Sequence, residues 1–207
     1  MEEENSRAND RELGRREQTR SHNQALILAA ARAVFAEYGY SRTTVRDIIR
    51  ATPLAAGTFY NYYKSKDEIF QAIRDETALK VRPLLREARS GSKTADKFIY
   101  ATFRTFFDFV VAEHAALVTG HSSNAMHVRV DTPEIIAGFG ELEEDLASAI
   151  AAGILPRVDI KYLTASIAGL AFELSENMMD REKPDPEAAA RFATDLVLGG
   201  ISGMAKK

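Results

Sequence analysis

The segment 41–66 constrains the fold of this chain more than any other, because it has the pattern of two short helices joined by a tight turn. A threonine pair precedes the first apolar run, and the second helix is short, polar and rich in tyrosine. Lys64 and Lys66 follow directly. A short helix, a turn, a polar aromatic helix and a basic flank are together typical of a helix-turn-helix that binds DNA.

The charge of the chain is unevenly divided in a way that agrees with this prediction. From Arg20 to Lys66, seven cations stand against two anions, a net charge of +5, whereas the whole chain has a formal net charge of −3. The remainder therefore carries −8. A basic module joined to an acidic body is expected of a DNA-binding head on a regulatory domain, although small helical domains of other kinds also carry a local excess of one sign.

Composition excludes several classes of site. The 207 residues include no cysteine, so disulfides, thiolate nucleophiles and cysteine-zinc sites are excluded. The spacing of His114, His121 and His127 does not match a helical metal-binding pair, so we expect no metal and no cofactor. No apolar run approaches the ~18–20 residues that cross a bilayer, and the N-terminus lacks the apolar core of a secretory signal. We therefore expect a cytoplasmic protein without a membrane partner.

Hydrophobic periodicity predicts an all-α fold with about nine helices. Residues 1–22 are predicted to be a disordered charged tail, residues 23–66 a three-helix head, and residues 67–207 a helical body. Arg15, Arg16 and Arg20 in the tail either reach a DNA minor groove or belong to a solvated segment without a special role.

Helix boundaries in the head follow from local signals. Gly39 suits the left-handed position that ends a helix, and Thr43 or Thr44 caps the next one. A capping box at 65–68 opens a fourth helix, which Pro83 is predicted to kink or split and which would then have a hinge.

Apolar spacing also divides the head into core and surface. The predicted core consists of Ile27, Ala31, Phe35, Val45, Ile48, Leu54, Phe59 and Tyr63. The side chains left outside it are Arg42, Thr44, Arg46, Ala55, Ala56, Thr58, Tyr60, Asn61, Tyr62 and Lys64.

Several motifs in order resemble the N-terminal signature of the TetR family of transcriptional regulators over about residues 24–73. They are Ile27-Leu28-Ala29-Ala30-Ala31, Phe35-Ala36-Glu37-Tyr38-Gly39-Tyr40, Thr43-Thr44-Val45-Arg46-Asp47-Ile48, Gly57-Thr58-Phe59-Tyr60 and Lys64-Ser65-Lys66-Asp67-Glu68. The resemblance implies a helix-turn-helix DNA-binding domain and a body that binds an effector and dimerises. The body resembles the family only in length, helical content and its final helix pair.

One segment departs from the family pattern. The turn usually reads Ala-Gly-Val-Ser, whereas this chain has Thr52-Pro53-Leu54-Ala55. Proline cannot adopt the positive φ that glycine allows, and alanine has no capping hydroxyl. Either Thr52 helps to cap a locally altered turn, or the recognition helix begins in a shifted frame.

The resemblance implies roles for individual side chains of the head. Tyr60, Tyr62 and Lys66 match positions that usually contact phosphates. Thr44, at the start of the second helix, is also placed for a phosphate, and Ala56, Thr58 and Asn61 are the candidates for base edges. The exposed cations Arg42, Arg46 and Lys64 complete the predicted DNA-binding set. The competing interpretation is that Tyr60 and Tyr62 are core or interface aromatics with solvated hydroxyls.

The last two helices are predicted to form a homodimer interface, since small residues allow helices to approach closely. The residues assigned to it are Leu163, Ser166, Gly169, Leu170, Phe192, Leu196 and Gly199. An internal helix pair in a monomer is the alternative.

An excess of phenylalanine beside polar residues predicts an effector pocket in the body. Its candidate residues are Phe103, Phe106, Phe107, His114, His121, Phe139, Glu173 and Asn177. Plain core packing explains most of these aromatics equally well.

The favoured function is a ligand-responsive transcriptional regulator, a repressor released from a palindromic double-stranded DNA operator by a small apolar effector. Two other classes remain open: an all-α protein-interaction module without specific DNA binding, and an enzyme acting on an apolar substrate. No nucleophile–base pair or phosphate-binding loop supports an enzyme, so no catalytic residue is assigned.

Overall fold

The computed structural model describes residues 2–117 and 132–204, with side chains in 14–113 and 132–204. Over these ranges the chain is all-α, as predicted, and contains no β-strand. The described ranges hold eight helices, where about nine were expected: α1 Glu2–Tyr38, α2 Val45–Arg50, α3 Ala56–Tyr60, α4 Lys66–Arg89, α5 Ala95–Leu117, α6 Pro133–Ala151, α7 Ile160–Met179 and α8 Pro186–Met204. None of them combines the length and apolar character needed to cross a membrane.

The chain divides into two compact units. The N-terminal unit takes in Met1–Arg74, and the C-terminal unit takes in Asp75–Ala115 with Arg129–Lys207. The division therefore falls inside α4, whereas the sequence placed it between residues 66 and 67. The physical reason is that the first turns of α4 supply Ile69 and Ile73, 0% and 1% exposed, to the core of the N-terminal unit.

The core of the N-terminal unit matches the prediction. Val45 and Leu54 are partly buried against it. The other six predicted positions are buried: Ile27, Ala31, Phe35, Ile48, Phe59 and Tyr63. This packing holds α1, α2 and α3 together as a helix-turn-helix.

Local signals set the helix ends as expected. Gly39 has a φ of 75° and its N–H donates to the carbonyl of Phe35 at 2.8 Å, which ends α1. Thr44, not Thr43, is the N-cap of α2. Thr43 is instead buried, and its hydroxyl donates to the carbonyl of Gly39 at 2.8 Å.

The N-terminal segment differs from the predicted disordered tail, because α1 begins at Glu2. Every side chain from residue 14 to residue 22 is exposed, so this part of the helix buries no face against the protein. Periodicity detects helices through a buried stripe and therefore misses a helix that lies wholly in solvent.

Helix α4 continues through Pro83, so of the predicted kink or split the split does not occur. Ion pairs hold it to α6 on both sides of the proline. Arg82 and Arg86 both bind the carboxylate of Glu141, and the Nε atom of Arg89 lies 2.6 Å from a carboxylate oxygen of Asp145. The structure thus shows no break in α4 at Pro83 that could act as the predicted hinge.

The C-terminal unit has its own hydrophobic core, which is built from α5, α6, α7 and α8. Its buried residues include Phe103 and Phe107 from α5, Leu146 from α6 and Ile167 from α7. Helix α7 packs against both α6 and α8.

Candidate nucleic-acid interface

Thr44 closes a reciprocal capping box at the start of α2. Its hydroxyl accepts a bond from the Asp47 N–H at 3.3 Å, and its own N–H donates to the Asp47 carboxylate at 2.9 Å. The hydroxyl also donates to that carboxylate at 2.6 Å. These bonds hold the pKa of Asp47 below its usual range, with the hydroxyl making the largest contribution. Thr44 therefore orients α2, and its predicted phosphate contact would compete with Asp47.

The unusual turn closes without glycine. The Thr52 hydroxyl donates to the carbonyl of Ile49 at 2.8 Å and accepts from the N–H of Leu54 at 3.3 Å. Ala55, the N-cap of α3, has φ −65° and ψ 146° and makes no side-chain cap bond. Of the two predicted alternatives, the structure has the one in which Thr52 organises an altered turn, and α3 begins at Ala56.

Helix α3 presents a narrow polar edge to solvent. Ala56, Tyr60 and Asn61 are exposed, Thr58 is half-buried, and Phe59 is buried in the core below them. Tyr60 is 42% exposed, which does not fit the competing interpretation of a core aromatic. The candidate base-contacting side chains thus lie on or beside one exposed edge, with Thr58 the least accessible.

Gly57, which belongs to one of the quoted motifs but received no predicted contact, also lies on this edge. It is exposed, its φ is not positive, and a Cβ atom built on it would meet nothing within 4 Å. The fold of the isolated chain therefore does not require glycine there. The signal available in the sequence was a glycine inside a short helix, where that residue is unfavourable.

Tyr62 is fixed against α1. It is half-buried, and its hydroxyl oxygen accepts a hydrogen bond from Nδ2 of Asn23 at 3.0 Å. A phenol that accepts one bond still has its own proton to donate, so this geometry is compatible with a phosphate contact. Asn23 was not among the predicted residues, because its partner lies 39 positions away.

Lys66 fastens α4 to the loop between α1 and α2. Its ammonium donates to the carbonyls of Tyr40 at 3.0 Å and Thr43 at 3.2 Å, and lies 4.5 Å from the centre of the Tyr40 ring. Burial, with the hydrogen bond to Asp67 second, raises the pKa of the Tyr40 hydroxyl. Two of the three donors of Lys66 are thus engaged by the protein, so at most one of them can serve the predicted phosphate contact.

The predicted capping box at the start of α4 is present with one change. The Glu68 N–H donates to Oγ of Ser65 at 3.2 Å, as expected. The Glu68 carboxylate accepts from the N–H of Lys64 at 2.7 Å rather than from Ser65. This arrangement holds exposed Lys64 directly after the tyrosine-rich segment, residues 60–63, where its ammonium contacts the carbonyl of Tyr60.

Two further predicted cations are exposed on the same unit. Arg46 lies on α2, and Arg42 precedes that helix with its Nε atom donating to the carbonyl of Tyr38 at 2.8 Å. Exposed guanidinium groups and hydroxyls beside a short polar helix are the groups that bind a nucleic-acid backbone.

The predicted dimer residues divide into two groups. Ser166, Gly169, Phe192, Leu196 and Gly199 are exposed along α7 and α8. Leu163 is buried in the core of its own unit and Leu170 is partly buried against that core, so these two fill the chain's own interior. Sequence spacing did not separate the two sides of α7 because both carry apolar residues.

The predicted pocket residues do not form one group. Phe103 and Phe107 are fully buried, and Phe106 packs edge-on against Phe172 with ring centres 5.7 Å apart. Phe139 is half-buried, whereas Glu173 and Asn177 are exposed on α7. The side chain of His114 and the whole of His121 lie outside the described residues. The two polar members that are described, Glu173 and Asn177, are thus exposed, whereas Phe103 and Phe107 are buried.

Comparisons with known proteins find regulatory proteins that are similar to part of this chain. Residues 27–73 match the model of a family described as bacterial regulatory proteins, tetR family. An uncharacterized HTH-type transcriptional regulator of Haemophilus influenzae is 31% identical over 87 residues, which span 42% of this chain and 42% of that relative.

Two solved structures share the fold over most of their length. The fatty acid degradation regulator FadR from Bacillus halodurans is 23% identical, with a TM-score of 0.72 over 86% of this chain and 95% of that one. The transcriptional regulator FadR from Bacillus subtilis, solved in complex with stearoyl-CoA, is 22% identical, with a TM-score of 0.68 over 86% and 98%.

Proposed function

We propose, from the match of residues 27–73 to the model of the tetR family of bacterial regulatory proteins, that this chain is a transcriptional regulator of that family. Its N-terminal unit binds double-stranded DNA. The observation that carries the proposal is the exposed edge of α3, with Tyr60 and Asn61 outward and Phe59 buried beneath them. A helix seated this way on its own core leaves its outer side available to a DNA groove.

Within this proposal the predicted contacts receive different roles. Ala56, Thr58 and Asn61 contact base edges, and Tyr60 and Tyr62 donate to phosphates. The exposed cations Arg42, Arg46 and Lys64 also contact phosphates, while Thr44 and Lys66 act first by positioning α2 and α4. The geometry supports this division, because the cap and the ammonium are already bonded within the protein.

Selection of duplexes from a random pool on the purified protein tests the DNA-binding proposal. We expect enrichment of one palindromic sequence. Tyr60→Phe should then weaken binding to every duplex, because it removes only a phosphate donor, whereas Asn61→Ala should change the preference at one base position in each half-site. Failure to enrich any sequence, with the protein folded, would refute specific DNA binding and favour an interaction module.

A homodimer held by α7 and α8 would supply the two heads that a palindrome requires. On α8, Phe192 and Leu196 are 58% and 50% exposed, and Met204, just over two turns beyond Leu196, is 66% exposed. On α7, Tyr162 is 78% exposed and small residues follow it at helical spacing. Pairing these stripes across a two-fold axis removes large apolar side chains from water, which contributes about 1.5–3 kcal/mol for each one fully buried.

Sedimentation of the double variant Phe192→Glu, Leu196→Glu tests the dimer. We expect it to shift from dimer to monomer while its circular dichroism remains helical. The matched control is Ile136→Glu, which also replaces an apolar side chain of the same unit that is 54% exposed, but on α6. A monomeric wild-type protein, or equal effects of both changes, would contradict the assignment.

We infer that the effector binds in the C-terminal unit through an apolar portion, such as an acyl chain, where α5 and α7 bring Phe106 and Phe172 together beside a phenylalanine-rich core. A long-chain acyl-CoA is the first candidate, because a protein of the same fold is solved with stearoyl-CoA. Stearoyl-CoA should raise the melting temperature and release the selected duplex, as expected of a repressor, whereas coenzyme A without the acyl chain should do neither. No change with any apolar ligand would overturn this effector class.

A further inference from the structure

Helix α1 extends beyond the core of the N-terminal unit. Helix α1 begins at Glu2, and its side chains are described from residue 14 onward. Among these described side chains, those from 14 to 22 are all exposed, and Ile27 is the first that is fully buried. This exposed stretch contains three arginines and a single acidic residue. Residues 14–22 of α1 therefore contribute nothing to the core and carry an excess of positive charge.

The phase of α1 fixes the direction that two of these arginines face. Arg16, Arg20, Asn23 and Ile27 are spaced by four, three and four residues, so they share one side of the helix. Ile27 on that side packs in the core, and Asn23 donates to the hydroxyl of Tyr62 at 3.0 Å. Arg16 and Arg20 therefore lie on the same side of α1 as Asn23, which bonds Tyr62, but nearer to the N-terminus and outside the core.

The spacing of these two arginines along α1 is comparable to the spacing of phosphates along a DNA strand. A helix rises ~1.5 Å per residue, which places Arg20 ~4.5 Å and Arg16 ~10 Å along the axis beyond Asn23. Successive phosphates of one strand follow at comparable intervals, and long arginine side chains present several donors to them.

We propose that Arg16 and Arg20 form an accessory phosphate-binding row that holds the DNA backbone outside the bases read by α3. This proposal rests on the proposed DNA-binding function. The row continues from the Tyr62 contact, so each head grips a longer stretch of duplex than α3 alone covers. Arg15 lies about 100° around the helix from Arg16 and is excluded from the row.

The test uses the duplex selected on the wild-type protein and a series trimmed symmetrically from both ends. Arg20→Gln should weaken binding to the long duplex roughly tenfold at low salt and make the salt dependence shallower by about 1.8, since one phosphate contact is lost from each of two heads. Arg15→Gln removes the same charge from the same exposed helix and should change the affinity much less.

Trimming provides the second readout. The wild-type protein should lose affinity once the flanking base pairs are removed, whereas the double variant Arg16→Gln, Arg20→Gln should bind long and trimmed duplexes alike. Equal effects of Arg20→Gln and Arg15→Gln, or wild-type affinity that is indifferent to the flanks, would overturn the row while leaving DNA binding by the head intact. Absence of binding to any duplex would instead refute the proposed function itself.

Discussion

Replacing Lys66 with methionine is expected to destabilise the N-terminal unit by about 2–3 kcal/mol. The ammonium donates to the carbonyls of Tyr40 and Thr43 and lies over the Tyr40 ring. Hydrogen bonds from a charged donor contribute about 1.5–3 kcal/mol each when buried, and a cation–π contact at an exposed site about 0.5–1 kcal/mol. Because Lys66 is half-buried, we take roughly half of the combined value.

Thermal unfolding monitored by circular dichroism measures this effect. A chain of this size shifts its melting temperature by about 2–4 °C per kcal/mol, so Lys66→Met should melt roughly 5–10 °C lower. Lys64→Met is the matched control, because Lys64 carries the same charge, lies two positions before Lys66 and is exposed. This change should alter the free energy of unfolding by about 0.5 kcal/mol or less. Equal melting temperatures for the two variants would refute the positioning role of Lys66.

Three further changes test separate features. Gly57→Ala should leave stability unchanged or raise it by up to about 1 kcal/mol in denaturant titrations, because the added methyl group meets open space. The same change should weaken DNA binding if α3 enters the groove, and unchanged affinity would contradict that docking. Thr44→Ala should cost about 1 kcal/mol through loss of the α2 cap, and Thr44→Ser should restore most of it; equal stability of the two variants would argue against the cap. The pKa of Glu141 is lowered chiefly by its hydrogen bond from Arg82, so its carboxylate stabilises the fold above about pH 4.3, and this contribution is lost as the pH falls through the lower folded-state pKa. The stability difference between wild type and Glu141→Gln should therefore be constant near neutral pH and shrink in acid, and a difference independent of pH down to acid unfolding would contradict the ion pair.

Features that depend only on residues close together in the chain were predictable from the sequence. The glycine that ends α1, the threonine cap of α2 and the buried face around Phe59 follow from short-range rules of capping and periodicity. They depend on residues within one or two helical turns, so a local pattern contains all the information needed.

Features that depend on distant partners were not predictable. The bond from Lys66 to Tyr40 spans 26 positions and that from Asn23 to Tyr62 spans 39. Whether a lysine after the tyrosine-rich helix points to solvent or back to a carbonyl is decided by where the chain folds, which periodicity does not encode. The same limit explains why Leu163 was assigned to the dimer surface although it is buried in its own unit.

The salt dependence of DNA binding tests the central claim most directly. Two heads that each hold at least three phosphates should give a linear plot of log affinity against log salt concentration, with a slope of about −5 or steeper. Lys64→Gln should make that slope shallower without changing which duplex is preferred, because it removes one phosphate-contacting cation from each head. Affinity that is weak for every duplex and nearly independent of salt would contradict the account, because a protein that does not grip phosphates is not the DNA-binding regulator proposed from this fold.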